Sequence, residues 1–190
     1  MRCFVAIELS PELRSPLVRL LRQLPRASGA RWVTEDQLHV TLKFLGEVNE
    51  AQLPAVCEAI RTASSQVEPF RARLGPLGGF PSPRSPRVLW CGFDDPGGHC
   101  ARWVELADPL LAELGFAAEA RAFTPHITLG RSKSPDGTAA LREVLEKTAA
   151  PQAGEMLAQQ VTLFESRLSP QGAQYTPVCR AALGADQERS

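Results

Sequence analysis

One short sequence pattern occurs twice in the chain and restricts the folds that it can adopt. His39-Val-Thr-Leu42 is matched by His126-Ile-Thr-Leu129, which lies 87 residues further along. Apolar residues at helical spacing predict helices at 11–25 and 50–65 and two more in the second half. The same shift of 87 residues places the first two helices on the second two. Each half therefore contains a strand, a helix, the motif strand and a second helix. This order predicts an internal duplication, in which a pseudo-twofold axis relates two lobes and brings the motif strands face to face.

The remaining elements complete an α+β chain. The motif strands are predicted near 37–45 and 126–132, and the Gly- and Pro-rich segment 78–86 is predicted to be a loop. We expect one bilobal domain over residues 1–184, followed by a disordered tail at 185–190. The other predicted strands cover about 2–9, 30–33, 70–77, 87–93, 160–168 and 174–183.

The motif residues carry side chains suited to acid–base chemistry on a phosphate. Successive side chains on a strand point to opposite faces, so His39 shares a face with Thr41, and His126 shares a face with Thr128. Histidine titrates near neutrality, so one ring can accept a proton from water while the other donates one to a leaving oxygen. Each threonine hydroxyl can donate a hydrogen bond to a phosphate oxygen. We therefore predict that these four residues are catalytic.

A single His-x-Thr strand is more often structural than catalytic, because short motifs recur by chance and threonine is common in strands. The chain contains only 3 histidines, and two of them occupy the same position of the repeat. This recurrence favours the catalytic interpretation. The third, His99, follows a Gly-Gly turn and is predicted to be a solvated residue at a helix N-terminus.

Composition argues against several classes of function. The 21 basic and 21 acidic residues give a net charge of zero, which argues against a protein that coats long nucleic acids. No common zinc-ligand spacing and no Gly-x-x-x-x-Gly-Lys-Ser/Thr loop is present, so neither a metal nor a cofactor is predicted. No apolar run reaches the roughly 18 residues of a membrane span. The 5 scattered cysteines indicate reduced thiols, and we expect a cytoplasmic monomer.

With its paired motifs, the chain resembles the two-histidine (2H) phosphoesterase superfamily, and within it the bacterial and archaeal RNA 2′,3′-cyclic phosphodiesterases, also called 2′-5′ RNA ligases. This resemblance implies a bilobal α+β fold, with antiparallel sheets flanked by helices around a central cleft. It also implies that a 2′,3′-cyclic phosphate, at an RNA end or on a nucleotide, is opened to a 2′-phosphomonoester, with His39 as proton donor and His126 as general base. Reversible 2′-5′ joining of RNA ends is the associated reaction. The resemblance extends over nearly the whole chain and is carried by 2–7, Trp32, 38–48, 79–81, 86–90 and 123–131.

Two basic residues near the motifs are candidates for binding the phosphate. Strand alternation puts Lys43 on the face of the first motif histidine, with a solvated strand end as the alternative. The resemblance matches Arg131 to an arginine that often follows the second motif. Strict alternation would turn Arg131 away from the second histidine unless the strand is kinked at Gly130. Many relatives carry arginine at the position of Thr124, so a phosphate contact from that position is in doubt.

Aromatic side chains are candidates for stacking on a base at the mouth of the cleft, with core packing as the alternative for each. Phe80, in the Gly- and Pro-rich loop, and Phe123, just before the second motif, are the main candidates. The others are Trp32, Phe44 and Trp90.

Two other functions remain open. One is a phosphodiesterase that acts on small nucleotide cyclic phosphates or on 2′-5′-linked oligonucleotides. The other is a module that binds RNA ends or nucleotides without catalysis. The presence of both complete motifs argues against the second alternative, because a binding module could lose a histidine at little cost.

Overall fold

The computed structural model describes residues 1–24, 29–118, 122–170 and 172–184, so the tail predicted at 185–190 lies outside the described residues. Short 3-10 turns lie at Glu35–Gln37 and Glu50–Gln52. In the described part of the chain the main elements are, in order, β1 (Arg2–Glu8), α1 (Pro11–Gln23), β2 (Ala30–Trp32), β3 (His39–Glu47), α2 (Leu53–Ser65), β4 (Phe70–Phe80), β5 (Val88–Asp94), α3 (His99–Glu113), β6 (His126–Ser132), α4 (Pro135–Lys147), β7 (Met156–Ala158), β8 (Gln160–Ser169) and β9 (Gly172–Ala182).

The strands form one antiparallel sheet in the order β7-β4-β5-β6-β3-β1-β8-β9, and β2 pairs with β6. The motif strands β3 and β6 are neighbours at its centre. Next to them lie β1 and β5, the first strands of the two halves, and beyond these lie β8 and β4. The order is therefore symmetric about the β3–β6 pair. Each half also gives a strand to the other lobe, because β4 pairs with β5 and β8 pairs with β1. The predicted α+β fold with its pseudo-twofold repeat is confirmed.

Both motif strands carry a bulge at the same place in the repeat. The pairing of β3 with β1 shifts by one residue at Leu42–Lys43, and the pairing of β6 with β5 shifts by one at Leu129–Gly130. In each strand two consecutive residues are buried at this point. A bulge of this kind reverses the alternation of side chains beyond it.

The hydrophobic core lies between one face of the sheet and the helices. Val40 and Ile127 contribute to it from the motif strands, and α3 contributes the buried Trp103. A second, smaller cluster occupies the opposite face of the sheet and contains Phe4, Ala6 and Phe164. Because β1 is buried on both faces, its sequence is almost continuously apolar rather than alternating.

Three elements differ from the sequence prediction. The strand β4 extends to Phe80, into the first three residues of the predicted loop, because the glycines allow close contact: a Cβ on Gly78 would collide with the ring of Trp90. The helix α4 begins at Pro135, three residues before the start predicted at Thr138, because the Ser134 side chain caps it by accepting a hydrogen bond from the Gly137 N–H at 3.2 Å. The three-residue strand β7 was not predicted, because so short an apolar segment carries no periodic signal.

The four helices lie within the described ranges. No helix there is both long and apolar enough to cross a membrane.

Candidate active site

The two motif histidines lie on the same face of the sheet, on paired central strands. Val40 of β3 pairs with Ile127 of β6 in antiparallel register. This register sets each motif histidine opposite the threonine of the other motif, and opposite side chains in such a pair have Cβ atoms about 5 Å apart. Val40 and Ile127 are buried in the core, so the motif side chains point to the other face. The structure thus brings the four predicted catalytic residues together.

Each motif histidine is oriented by a backbone carbonyl two residues before it. The Nδ1 atom of His39 lies 2.8 Å from the carbonyl oxygen of Gln37, and that of His126 lies 2.7 Å from the carbonyl oxygen of Thr124. A carbonyl oxygen can only accept, so Nδ1 carries the proton in both rings. In a neutral ring the lone pair then lies on Nε2, which is the nitrogen available for proton transfer.

His39 is enclosed by aromatic rings from strands that are distant in sequence. Its Nε2 accepts a hydrogen bond from the Thr41 hydroxyl at 2.9 Å. The ring of Phe4, on β1, lies 4.8 Å from the imidazole centroid, and that of Tyr175, on β9, lies 5.2 Å away with an edge-on geometry. These contacts fix the ring and shield it in part from water.

His126 has a corresponding aromatic surrounding from the other lobe. Phe80 of β4 lies edge-on at a centroid distance of 5.1 Å, and Trp90 of β5 lies 5.9 Å away. The two aromatic residues also contact each other at 5.1 Å. No hydrogen bond to Nε2 of His126 is found among the described residues. This ring is thus packed on its sides, and its Nε2 atom has no hydrogen-bond partner in that part of the chain.

Burial lowers the pKa of both histidines. For His39 it lowers the pKa from 6.5 to about 4, against the opposing effect of the hydrogen bond to Gln37; the charges of His126 and Arg131 lower it further. For His126, burial again lowers the pKa most, and the charge of Arg131 adds to this effect. Both rings are therefore neutral near pH 7 in the unliganded protein. A bound anion would raise both pKa values, because it stabilises the imidazolium.

The bulges bring Phe44 and Arg131 to the face of the motif histidines. The two residues are equivalent in the repeat, since each directly follows the bulge of its strand. Phe44 is 65% exposed, and its ring centroid lies 6.1 Å from that of Phe4, which packs on His39. Arg131 is exposed as well, and its charge reaches both histidines. The kink near Gly130 that Arg131 needs in order to face the site is therefore present.

The same bulge overturns the predicted orientation of Lys43. This residue is 5% exposed and lies on the core side of β3, opposite to His39. Its Nζ atom forms an ion pair with Asp108 Oδ1 at 2.5 Å and donates a hydrogen bond to the Ala117 carbonyl oxygen at 2.9 Å. The prediction that Lys43 shares the face of the first motif is wrong, because strict alternation ignores the extra residue at Leu42. Lys43 instead joins β3 to α3.

Comparison with known proteins identifies the family. A model of the family described as LigT like Phosphoesterase matches residues 7–90 and 94–175. The chain belongs to this family. Among its relatives is an RNA 2′,3′-cyclic phosphodiesterase of Archaeoglobus fulgidus, 34% identical over 175 residues, which cover 92% of this chain and 96% of the relative. A second, from Aquifex aeolicus and of the same name, is 31% identical over 184 residues, or 96% of this chain and 97% of the relative.

Solved structures of family members have the same fold. E. coli LigT without ligand superimposes with a TM-score of 0.75 and is 29% identical, with 96% of each chain covered. E. coli LigT complexed with 3′-AMP gives a TM-score of 0.77 at 28% identity, with 96% of this chain and 97% of the other covered. The predicted resemblance to the 2H phosphoesterases is therefore confirmed.

Phe80 and Phe123, the two main candidates for stacking on a base, have different surroundings in the structure. Phe80 lies against His126, as described above. Phe123 is half-buried and packs against the hydrophobic core, and no ring contact joins it to either motif histidine within the described ranges. The side chain of Thr124 is exposed, and the part of this residue that the site uses is its carbonyl oxygen.

Two residues beside His39 were not found from the sequence. Phe4 and Tyr175 lie about 35 residues before and about 136 residues after His39 in the chain, so only the pairing of β1, β8 and β9 brings them to the site. Tyr175 is the single tyrosine of the chain, and this was the one weak indication in the sequence that it could have a special role. A search for metal-binding groups in the described part of the chain finds no cluster of three or more His, Cys, Asp or Glu residues.

Proposed function

We propose that the protein hydrolyses 2′,3′-cyclic phosphate ends of RNA to 2′-phosphomonoesters by two-histidine acid–base catalysis. The observation that carries the proposal is the pairing of the two His-x-Thr strands through Val40 and Ile127. It puts two imidazole rings and two hydroxyl groups on one face, around a space that can receive a phosphate. Family membership supports the phosphodiester chemistry, since the relatives are named RNA 2′,3′-cyclic phosphodiesterases.

The reaction assigns opposite proton transfers to the two histidines. The Nε2 atom of His126 accepts a proton from water as the water oxygen attacks phosphorus. The bond from phosphorus to the ribose 3′ oxygen breaks, and the Nε2 atom of His39 donates its proton to that oxygen. The product carries a 2′-phosphate. The bare Nε2 of His126 suits the base, whereas the acid requires a protonated His39, and the negative charge of the bound phosphate raises its pKa for this purpose.

The threonine beside His39 is coupled to this protonation. In the unliganded protein the Thr41 hydroxyl donates its hydrogen to Nε2 at 2.9 Å. Once Nε2 is protonated it can no longer accept, so the hydroxyl becomes available to donate to a phosphate oxygen. Thr128 supplies the equivalent donor from the other strand. Both donors stabilise the charge that accumulates on the non-bridging oxygens in the transition state.

Arg131 and Phe44 have positions suited to substrate binding. The guanidinium of Arg131 complements the phosphate charge and can form paired hydrogen bonds with its oxygens. The exposed ring of Phe44 offers a flat apolar surface on which a terminal base can stack. Phe80 offers a second ring, beside His126. In this proposal the enzyme needs neither a metal nor a cofactor and acts as a cytoplasmic monomer.

The decisive experiment uses an RNA oligonucleotide that ends in a 2′,3′-cyclic phosphate. The protein is incubated with it in excess EDTA, and the terminal phosphate of the product is identified. We expect a 2′-phosphate, formed without added metal. His39→Gln and His126→Gln should each lower turnover by roughly a hundredfold to ten-thousandfold. Loss of activity in EDTA that zinc or manganese restores would contradict the two-histidine mechanism.

The third histidine provides a matched control. His99 begins α3, where it stacks on Phe70 at a centroid distance of 4.6 Å and contacts Asp95 at 2.8 Å through Nδ1. It is therefore less solvated than the sequence predicted, and it lies outside the motif pair. His99→Gln should retain turnover on the same RNA.

The same assays distinguish the alternative functions. Activity only on mononucleotides or on 2′-5′-linked oligonucleotides would support the narrower substrate classes. Binding of the RNA end without turnover would support a non-catalytic module.

A further inference from the structure

A basic groove lies at the rim of the sheet, beyond the end of the second motif strand. It has a volume of about 620 Å³ and is formed by the β4–β5 loop, the segment after β6 and the first turns of α4. Its four basic residues are Arg84, Arg87, Lys133 and Arg142.

The groove concentrates positive charge, most of which is not paired with an acidic residue of the described ranges. All four basic side chains are exposed, and the groove has no acidic residue in its lining. Arg142 lies 3.7 Å from Glu146. Arg84, Arg87 and Lys133 form no ion pair with any residue in the described ranges. Since the chain as a whole has zero net charge, this cluster is a local feature that suits an anionic ligand.

The groove is joined to the candidate active site through the backbone. Its lining begins one residue after Phe80, at Pro81, and one residue after Arg131, at Ser132. The Arg87 N–H donates to the Phe80 carbonyl oxygen at 2.6 Å, and the Ser132 N–H donates to the Arg87 carbonyl oxygen at 2.9 Å. These hydrogen bonds hold the groove at a fixed position beside the two residues that approach His126.

The pseudo-twofold repeat has opposite charge at the corresponding place in the other lobe. Where β6 is followed by Lys133 and α4, β3 ends at Glu47 and is followed by the turn that starts with Glu50. The Glu47 side chain is 81% exposed, and its Oε2 atom lies 3.3 Å from the N-terminal ammonium group. A polyanion that leaves the phosphate site is therefore attracted toward the lobe that carries the basic groove. This arrangement suits an RNA 3′ end, because the RNA chain continues on only one side of the terminal phosphate.

We propose that the basic groove binds backbone phosphates of single-stranded RNA upstream of the terminal cyclic phosphate. The inference rests on the proposed function and specifies its substrate as an oligonucleotide rather than a mononucleotide. Arginine and lysine contacts to phosphates carry no base preference. The groove has no aromatic residue in its lining, so base stacking does not add one there. The groove therefore increases affinity for RNA ends of any sequence.

The test compares two substrates and two variants of equal charge. The substrates are an eight-nucleotide RNA with a terminal 2′,3′-cyclic phosphate and the corresponding mononucleotide 2′,3′-cyclic phosphate. The groove variant is the triple substitution Arg84→Gln, Arg87→Gln and Lys133→Gln. The control variant removes the same charge elsewhere on the surface, through Arg61→Gln, Arg71→Gln and Arg102→Gln, whose side chains are 53%, 73% and 59% exposed.

We expect the groove variant to raise KM for the RNA by roughly tenfold or more and to leave kcat/KM for the mononucleotide within about twofold. For the RNA, the slope of log kcat/KM against log salt concentration should decrease in magnitude by about two. Each lost phosphate contact on a single strand contributes about 0.7 to this slope, and three contacts are removed. The control variant should behave as wild type. Thermal unfolding of each variant establishes that the fold is retained.

Two results would overturn the groove proposal while the proposed function stands. One is an equal loss on both substrates, which would assign the groove residues to the catalytic centre or to the fold. The other is wild-type kinetics of the groove variant on the RNA. By contrast, if the wild-type protein opens neither cyclic phosphate, the proposed function itself fails.

Discussion

Lowering the pH from 7 to 4 should destabilise this protein through His39. The difference between an unfolded-state pKa of 6.5 and a folded-state pKa of about 4 corresponds to about 3 kcal/mol. The folded state disfavours the imidazolium, so the unfolded chain binds the additional proton. The stability from this residue is therefore present above pH 6.5 and is lost as the pH falls toward 4.

The measurement is the free energy of unfolding in urea at several pH values, for wild type and for His39→Gln. Carboxylates titrate in the same range in both proteins, so their contribution cancels in the difference. The wild type should lose about 3 kcal/mol more than the variant between pH 7 and pH 4. Direct titration of the imidazole by NMR should give the low folded-state pKa, and inorganic phosphate should raise it.

Equal pH dependence of wild type and His39→Gln would refute this reasoning. It would mean that water reaches the ring in spite of Phe4 and Tyr175, and that the acid is already partly charged before substrate binds. His126→Gln should show a difference of the same sign, because burial lowers that pKa as well.

Four further predictions follow from the same geometry. Because both histidine pKa values are lowered in the free protein, the bell-shaped pH profile of kcat/KM should be centred below pH 6.5. The profile of kcat should be centred at higher pH, because the bound phosphate raises both pKa values. Steady-state assays over pH 4–9 measure both profiles. Thr41→Val and Thr128→Val should each lower kcat by roughly tenfold to a thousandfold through loss of one hydrogen bond to the transition state, and unchanged kcat in both would exclude that role. A substrate with sulfur in place of the 3′ oxygen should restore much of the activity lost in His39→Ala and little of that lost in His126→Ala, and the reverse pattern would exchange acid and base. Lys43→Met should lower the free energy of unfolding by about 3 kcal/mol, since it leaves a carboxylate poorly compensated, but kcat/KM of the folded enzyme should not change.

Much of the site could be predicted from the sequence because it depends on local patterns. The alternation of His39 and Thr41 with apolar residues predicted which side chains lie on the face opposite the core, and the repeat predicted that the two motif strands meet. The orientation of Lys43 could not be predicted, because nothing in the residues Leu42-Lys43 distinguishes a bulged strand from a regular one. At Gly130 a signal was available, since a glycine inside a strand often marks a bulge.

The surroundings of His39 could not be predicted for a different reason. The aromatic contacts of this residue come from β1 and β9, at opposite ends of the chain. Strand pairings between distant segments depend on the whole sheet and leave no local pattern. For the same reason, the basic groove could not be predicted, because it joins the β4–β5 loop to the segment after β6.

The exchange of strands between the lobes has a consequence for how the chain folds. Because β4 pairs with β5 and β8 pairs with β1, neither half contains a complete sheet of its own. The first half expressed alone would expose the edge of β1 that β8 normally covers, and such an unpaired edge promotes aggregation. Folding must also close the long loop between β1 and β8 before the sheet is complete, which slows it relative to a protein with local contacts. The two halves should therefore recover activity when they are mixed during refolding, but not when each is folded separately beforehand.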